Sequence, residues 1–233
     1  GFGMSSSAAL EVSLLGALVQ ALGLKIDKQN LLSLANKVEK DVLGIKSGVL
    51  DQYASIYSKK DSPILIDFSS LTHLYVKSQI QGASWVLINS MVDRSLVNSN
   101  YNQRVNECQS ALKKINTSQK NNLKINEISD FDLMTIKDDK VLFNRLHHIL
   151  SENNRVKLMK NALESGNVRL VGKILNESHL SLSEKYEVSC KEINDILRFS
   201  NKVEGFYGGR IMGGGFGGCC LCLVDDLKKD IFI

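Results

Sequence analysis

The chain opens on a glycine- and serine-rich stretch, GFGMSSSAALEV, which runs directly into an apolar segment. Apolar residues then recur at spacings of three and four, the pattern of one face of an amphipathic helix; they are Leu10, Leu14, Leu15, Leu18, Ala21 and Leu22. Gly23 is the predicted end of this helix. Backbone N–H groups and the positive end of the helix dipole at the serines would stabilise an anion. The stretch therefore indicates either a capped helix with a flexible lead-in or a phosphate-binding loop.

Composition limits the classes of protein to consider. The 233 residues, 43% hydrophobic and 23% charged, are typical of a globular protein with one large domain or two modest ones. The net charge is +4 and the basic residues are scattered, so nucleic-acid binding is not indicated. No apolar run approaches membrane-spanning length and no signal peptide is visible. We therefore expect a cytoplasmic protein.

The five cysteines do not indicate a disulfide framework, because their number is odd and they are clustered. Cys219 and Cys222 form a C-x-x-C pair within CCLCLV. No second pair completes a zinc site, so the sequence favours a buried strand here.

Apolar periodicity predicts the order of the elements. A second helix is expected from an N-cap at Asp27 to a stop at Gly44, and Ser47 could cap a short third helix. SPILIDFSSLTHLYVK indicates two strands, and GASWVLINSMV a further one. Helices are then predicted over residues 99–114, 140–150, 153–164 and 168–182, with an exposed loop at QKNNLKINEIS. A boundary near residues 81–84 gives two predicted domains, 1–81 and 82–233.

Two carboxylates follow the opening loop. Glu39 lies at the flank of an apolar helix stripe, where it is either a surface residue or a ligand facing a site. Asp51 lies near a helix N-terminus, where an acidic residue is favourable in any case. A phosphate loop followed by two acidic residues is also the outline of a phosphoryl-transfer site, in which one acid holds Mg²⁺ and the other orients a hydroxyl.

A second glycine-rich stretch, GGRIMGGGFGGCCLCLV, contains G-x-G-x-x-G from Gly213 to Gly218. A dinucleotide-binding fingerprint would need a helix after it, and a strand-like run follows instead. The prediction is a glycine-lined turn between strands, which either admits a phosphate or is simply a crowded hairpin.

Several motifs in order resemble the galactokinase branch of the GHMP small-molecule kinases. They are GMSSSAALEV, GIKSGVLDQY, LIDFSSL, INSMVDRSLVNSNYNQRVNEC, HHILSENNRV, NESHLSLSEKYEVSC and GGRIMGGGFGGC. The resemblance implies an α+β, two-lobed GHMP-kinase fold with a partial N-terminal lobe, a ferredoxin-like C-terminal α/β lobe and an active site between the lobes. By the same comparison the chain is expected to be an internal fragment lacking the N-terminal segment and the C-terminal end, and to be inactive alone.

The resemblance also implies roles for individual residues. ATP phosphates would be bound by Gly3, Ser5, Ser6, Ser7, Gly213, Gly214 and Gly215. Mg²⁺ would be held by Ser7 and Glu39. Gly48, Asp51 and Tyr101 would contact the sugar, with Asp51 as general base or orienting acceptor. The chain departs from the family at Met212, where threonine is usual, and a hydroxyl near the phosphates is thereby lost.

The implied activity is ATP-dependent phosphorylation of the anomeric hydroxyl of galactose. A kinase for a related sugar, such as N-acetylgalactosamine or L-arabinose, is one alternative, and a non-catalytic sugar or nucleotide sensor is another. The expected partners are the sugar and ATP, with no nucleic acid, membrane or protein partner.

Overall fold

The computed structural model describes residues 4–42, 48–92 and 97–233, and for residues 97–99 the backbone alone. The chain divides into two compact units, residues 1–77 and 78–233. Both contain helices and antiparallel strands, which confirms the predicted α+β class. The assignment of residues 1–81 and 82–233 to two kinase domains stays a prediction.

The first unit combines helices with a β-hairpin. Its elements are α1 (Ser6–Ala21), α2 (Lys28–Lys37), a π-helical turn (Val38–Val42), α3 (Leu50–Tyr57), β1 (Ile64–Asp67) and β2 (Thr72–Tyr75). As predicted, Gly23 follows the first helix with a positive φ of 61°, and Asp27 caps α2 by accepting a 2.7 Å hydrogen bond from the Asn30 N–H. Gly44 and Ser47 lie outside the described residues, and the residue at the N-cap of α3 is Val49.

Helix α1 buries a different face from its leucine stripe. Leu10 and Leu22 are 70% and 68% exposed. The less exposed face instead carries Ala8, which is buried, and Glu11. Helices α2 and α3 both pack against α1. The apolar periodicity therefore predicted the helix correctly. It did not predict which face of the helix packs against other described residues.

The second unit is a three-stranded antiparallel sheet with helices. Its elements are β3 (Ala83–Asn89), α4 (Val97–Gln119), a 3₁₀ turn (Ile125–Glu127), α5 (Asp130–Met134), α6 (Lys140–Glu164), α7 (Val168–Glu184), α8 (Lys191–Ser200), β4 (Phe206–Ile211), β5 (Cys219–Asp225) and α9 (Lys229–Phe232). The strand order is β3-β5-β4, so β5 is central. On that strand Cys222 pairs with both Val86 and Gly209.

Two clusters of described residues contribute to the core of this unit. One lies between α8 and the sheet, and contains Cys220 and Cys222 together with Ile193, Leu197 and Ile211. Burial raises the pKa of each of these two thiols to about 12. The other joins α4, α5 and α6; its members include Cys108, Ala111, Ile115, Leu133 and Leu146. The prediction of a buried strand at CCLCLV is confirmed.

The helices of this unit differ from the prediction at several places. Residues 140–150 and 153–164 form one continuous helix, α6, because the polar residues at the expected break are bonded within the helix. The Ser151 hydroxyl donates to the His148 carbonyl, and Arg155 pairs with Glu152. Helix α4 is longer than predicted, and α5, α8 and α9 were not predicted. Across the residues described, no helix combines the length and apolar character that crossing a membrane requires.

Candidate active-site residues

The serine turn lies at the start of α1. Ser5 holds the N-cap position in a left-handed conformation, with φ 55° and ψ 36°, and its side chain makes no capping hydrogen bond. Ser6 and Ser7 are exposed in the first turn. Hydroxyls and first-turn N–H groups at a helix N-terminus suit an anion such as phosphate. Gly3, the other predicted member of this loop, lies outside the described residues.

Glu39 lies in the π-helical turn that follows α2. It is 6% exposed, whereas Val42, which the helix stripe placed inside, is 75% exposed. A π turn contains an extra residue, so positions after it rotate away from the face that the α-helical spacing defines. The surface interpretation of Glu39 is therefore wrong. A carboxyl group that is buried in this way requires polar partners or a cation.

The sequence analysis missed two polar residues that are linked to this carboxylate through Glu11, namely Glu11 itself and Gln52. Burial raises the pKa of Glu11 above its ordinary value, the Gln52 side chain opposes this shift, and the Glu39 charge adds to it. Gln52 is fully buried, and neither of its amide atoms makes a well-formed hydrogen bond to a described residue. The sequence shows that Gln52 follows Asp51, but it does not show that Gln52 is buried, because this burial depends on the packing of α3 against α1.

Asp51 is half-buried in the first turn of α3. The same turn of this helix contacts the hairpin, because the hydroxyl of the buried Tyr53 lies 2.8 Å from His73 Nδ1. Gly48, two residues before α3, is exposed, and a Cβ added there would meet no described atom within 4 Å.

The second glycine-rich segment is the turn between β4 and β5, as predicted. The Met212 N–H donates a 2.9 Å hydrogen bond to the Cys219 carbonyl at its base. Gly213 and Gly215 have φ values of 72° and 88°, whereas the φ of Gly214 is not positive. Gly213 and Gly214 are exposed and Gly215 is buried. Consecutive backbone N–H groups in such a turn can form an anion-binding concavity.

Tyr101 on α4 lies next to this turn. Its ring atoms are 3.5 and 3.7 Å from where a Cβ on Gly214 would stand. The structure thus brings together one predicted sugar contact and one predicted phosphate contact in the second unit. In the first unit, Glu39 and Gln52 both act on the Glu11 carboxyl group.

Magnesium was predicted at Ser7 and Glu39. Among the described residues, no three His, Cys, Asp or Glu side chains converge as a metal site. Mg²⁺ in phosphoryl-transfer sites commonly binds one or two carboxylates, waters and substrate phosphates. The buried Glu39 carboxylate and the Ser7 hydroxyl are hard oxygen donors of that kind, so the donor set fits such an ion.

Two protein-family models match parts of this chain. Residues 1–59 match the GHMP kinases N terminal domain, and residues 159–232 match the GHMP kinases C terminal domain. The chain is 39% identical over its whole length to a galactokinase of Clostridium tetani, and 37% identical over 96% of its length to one of Thermotoga maritima. It spans 60% and 62% of these relatives, respectively.

Solved structures show the same likeness. Lactococcus lactis galactokinase, complexed with galactose, aligns with the whole chain at a TM-score of 0.92 and 32% identity, and the match covers 60% of that protein. The L. major mevalonate kinase, in complex with R-mevalonate, shares the fold at a TM-score of 0.61 and 17% identity, over 98% of this chain and 59% of its own. The two domain matches, the order of the motifs and the shared fold together show that this chain belongs to the GHMP kinase family.

Proposed function

We propose that the protein containing this chain is an ATP-dependent sugar kinase that converts galactose to galactose 1-phosphate. The observation that carries the proposal is the likeness, over the full length of this chain, to a galactokinase solved with galactose, at a TM-score of 0.92. Curated relatives at 33–39% identity that bear the name galactokinase support it. Cytoplasmic location is part of this proposal, because ATP is available there as the phosphate donor.

In the proposed reaction the C1 hydroxyl oxygen of the sugar attacks the γ-phosphorus of ATP. The bond between that phosphorus and the β–γ bridging oxygen breaks, and ADP leaves. The hydroxyl proton passes to Asp51 or, if Asp51 only orients the hydroxyl, to solvent. Such transfers depend on positioning and charge stabilisation rather than on a covalent enzyme intermediate.

The remaining predicted residues bind and orient the substrates. Ser5, Ser6 and Ser7 present the first turn of α1 to phosphate oxygens, and Gly213, Gly214 and Gly215 provide further phosphate contacts. Gly48 and Tyr101 contact the sugar. Mg²⁺, held by Ser7 and Glu39, would neutralise the charge on the transferring phosphate.

The experiment is product analysis with the whole protein, ATP, Mg²⁺ and a panel of sugars. Formation of galactose 1-phosphate and ADP in equal amounts is the expected result. Preferred turnover of N-acetylgalactosamine or L-arabinose would make the protein a kinase for that sugar. Binding of sugar or ATP without turnover would refute the proposed catalysis and would indicate a non-catalytic sensor on the same scaffold.

A further inference from the structure

A buried arginine lies in α6, outside every predicted site. Arg145 is 2% exposed. It pairs with Glu107 of α4 at 2.6 Å and with Glu187 at 2.8 Å, and it donates a hydrogen bond to the Lys185 carbonyl. A buried guanidinium is costly unless all its donors are used, and here its three nitrogens each have an acceptor.

A second arginine binds the same segment from α4. Arg104 donates to the Tyr186 carbonyl at 2.8 Å and to the Glu187 carbonyl at 3.2 Å, and it also pairs with Glu107. Burial alone would raise the pKa of Glu107, but Arg145 and Arg104 outweigh it and keep that pKa below the ordinary value. Two arginines therefore hold three consecutive carbonyls of the connection between α7 and α8.

The connection in turn supports the glycine turn through Val188. The Phe216 N–H donates a 2.7 Å hydrogen bond to the Val188 carbonyl oxygen. Gly215 lies directly against the same carbonyl, because an added Cβ there would come within 2.4 Å of that oxygen. The position of the turn is thus fixed by the path of residues 185–188.

Helix α4 contacts the turn as well. Tyr101, beside Gly214, lies one helical turn before Arg104, so both side chains project from the same face. A displacement of residues 185–188 would therefore change the position of the glycine turn relative to Tyr101.

We propose that Arg145, together with Arg104, Glu107 and Glu187, is a clamp that positions the glycine turn for nucleotide phosphates. The phosphate role of the turn rests on the proposed function; the clamp itself rests on the contacts above. Arg145 is a positioning residue, since it acts through residues 185–188 and Val188. A loosened clamp is expected to weaken ATP binding more than sugar binding.

Glu187→Gln in the whole protein tests the clamp with little risk to folding, because this side chain is 52% exposed. The matched control is Glu164→Gln, which makes the same substitution and removes one carboxylate charge from the Lys160–Glu164 ion pair on α6. We expect amide hydrogen exchange in residues 212–218 to become about three- to tenfold faster in Glu187→Gln, somewhat above the scale of an exposed ion pair because the Arg145 partner is buried. The control should leave that exchange unchanged.

Kinetics test the link to nucleotide binding. KM for ATP should rise about three- to tenfold in Glu187→Gln, while KM for the sugar stays within about twofold. Arg145→Lys keeps the charge but cannot serve all the acceptors at once, so it should shift both readouts in the same direction and further.

Unchanged exchange at residues 212–218 in Glu187→Gln would overturn the clamp. Faster exchange with an unchanged KM for ATP would overturn its positioning role. If the wild-type protein turns over no ATP, the proposed function fails, and hydrogen exchange still decides whether the clamp holds the turn.

Discussion

Replacing Gly172 by alanine tests how closely α7 packs on the sheet. An added Cβ would lie 2.2 Å from the carbonyl oxygen of Tyr207 on β4 and 2.4 Å from its carbonyl carbon. These distances are more than 1 Å inside the optimal separation of ~3.5–4.0 Å between non-bonded heavy atoms. The clashing atoms belong to a strand backbone, so a change of side-chain rotamer cannot relieve the overlap.

The expected magnitude follows from two opposing effects. Overpacking of this kind costs about 1–3 kcal/mol or more, and the rigid neighbour places Gly172→Ala at the upper end. The better helix propensity of alanine returns about 1 kcal/mol. The net loss is then about 2 kcal/mol, which corresponds to a fall of roughly 4–8 °C in the Tm of a domain of this size.

Gly16→Ala is the matched control, because Gly16 is also within a helix and an added Cβ there meets no atom of the described residues within 4 Å. It should raise stability by about 0.5–1 kcal/mol. The assay is thermal unfolding of residues 1–233, followed by circular dichroism and by fluorescence of Trp85, the single tryptophan, which lies on β3. A Gly172→Ala variant as stable as the control would refute the close approach of α7 and β4.

Three further predictions concern charged and titratable groups. Asp51→Asn should lower kcat by roughly 10²–10⁴-fold with ATP affinity little changed; wild-type kcat with a stability loss of about 0.3–1 kcal/mol would leave Asp51 a helix-terminus residue. Glu39→Gln should raise the Mg²⁺ concentration for half-maximal rate by about tenfold or more while the fold persists, and an unchanged Mg²⁺ titration would contradict the ligand role. Burial lowers the pKa of His148 from 6.5 to about 4, so the folded state favours the neutral ring. The free energy of unfolding should therefore fall by about 3 kcal/mol between pH 6.5 and pH 4, because the unfolded state binds a proton that the folded state does not. Denaturant titrations should show a smaller fall over this pH range in His148→Gln.

The sequence predicted those elements whose signal is local. The Asp27 cap and the positive φ at Gly23 are both set within a few residues of the helix end. The strand at CCLCLV follows from its apolar run. The continuity of α6 could not be predicted in this way, because the Arg155 side chain supplies bonds to Ser151 and Glu152 only once the helix has formed.

The candidate site was only partly accessible to sequence reasoning. Family motifs pointed to Glu39 and Asp51, but hydrophobic periodicity placed Glu39 at a helix flank, since it assumed an α-helical turn where a π turn occurs. The burial of Arg145 was invisible because the pattern treats a charged residue as exposed. Its environment arises from Glu107 and Glu187, which lie 38 and 42 residues away in the chain.

The glycines separate what the fold requires from what a ligand would require. The fold itself requires glycine at position 215. The φ of Gly215 is 88°, and the Val188 carbonyl leaves no room for a Cβ there. Gly214 has neither constraint among the described residues: its φ is not positive, and an added Cβ would meet only the Tyr101 ring at an ordinary 3.5 Å. An added Cβ at Gly48 would likewise meet no described atom within 4 Å. At these two positions the packing of the described residues supplies no reason for glycine, and close approach of a substrate to the backbone is a reason that the proposed phosphate and sugar contacts supply.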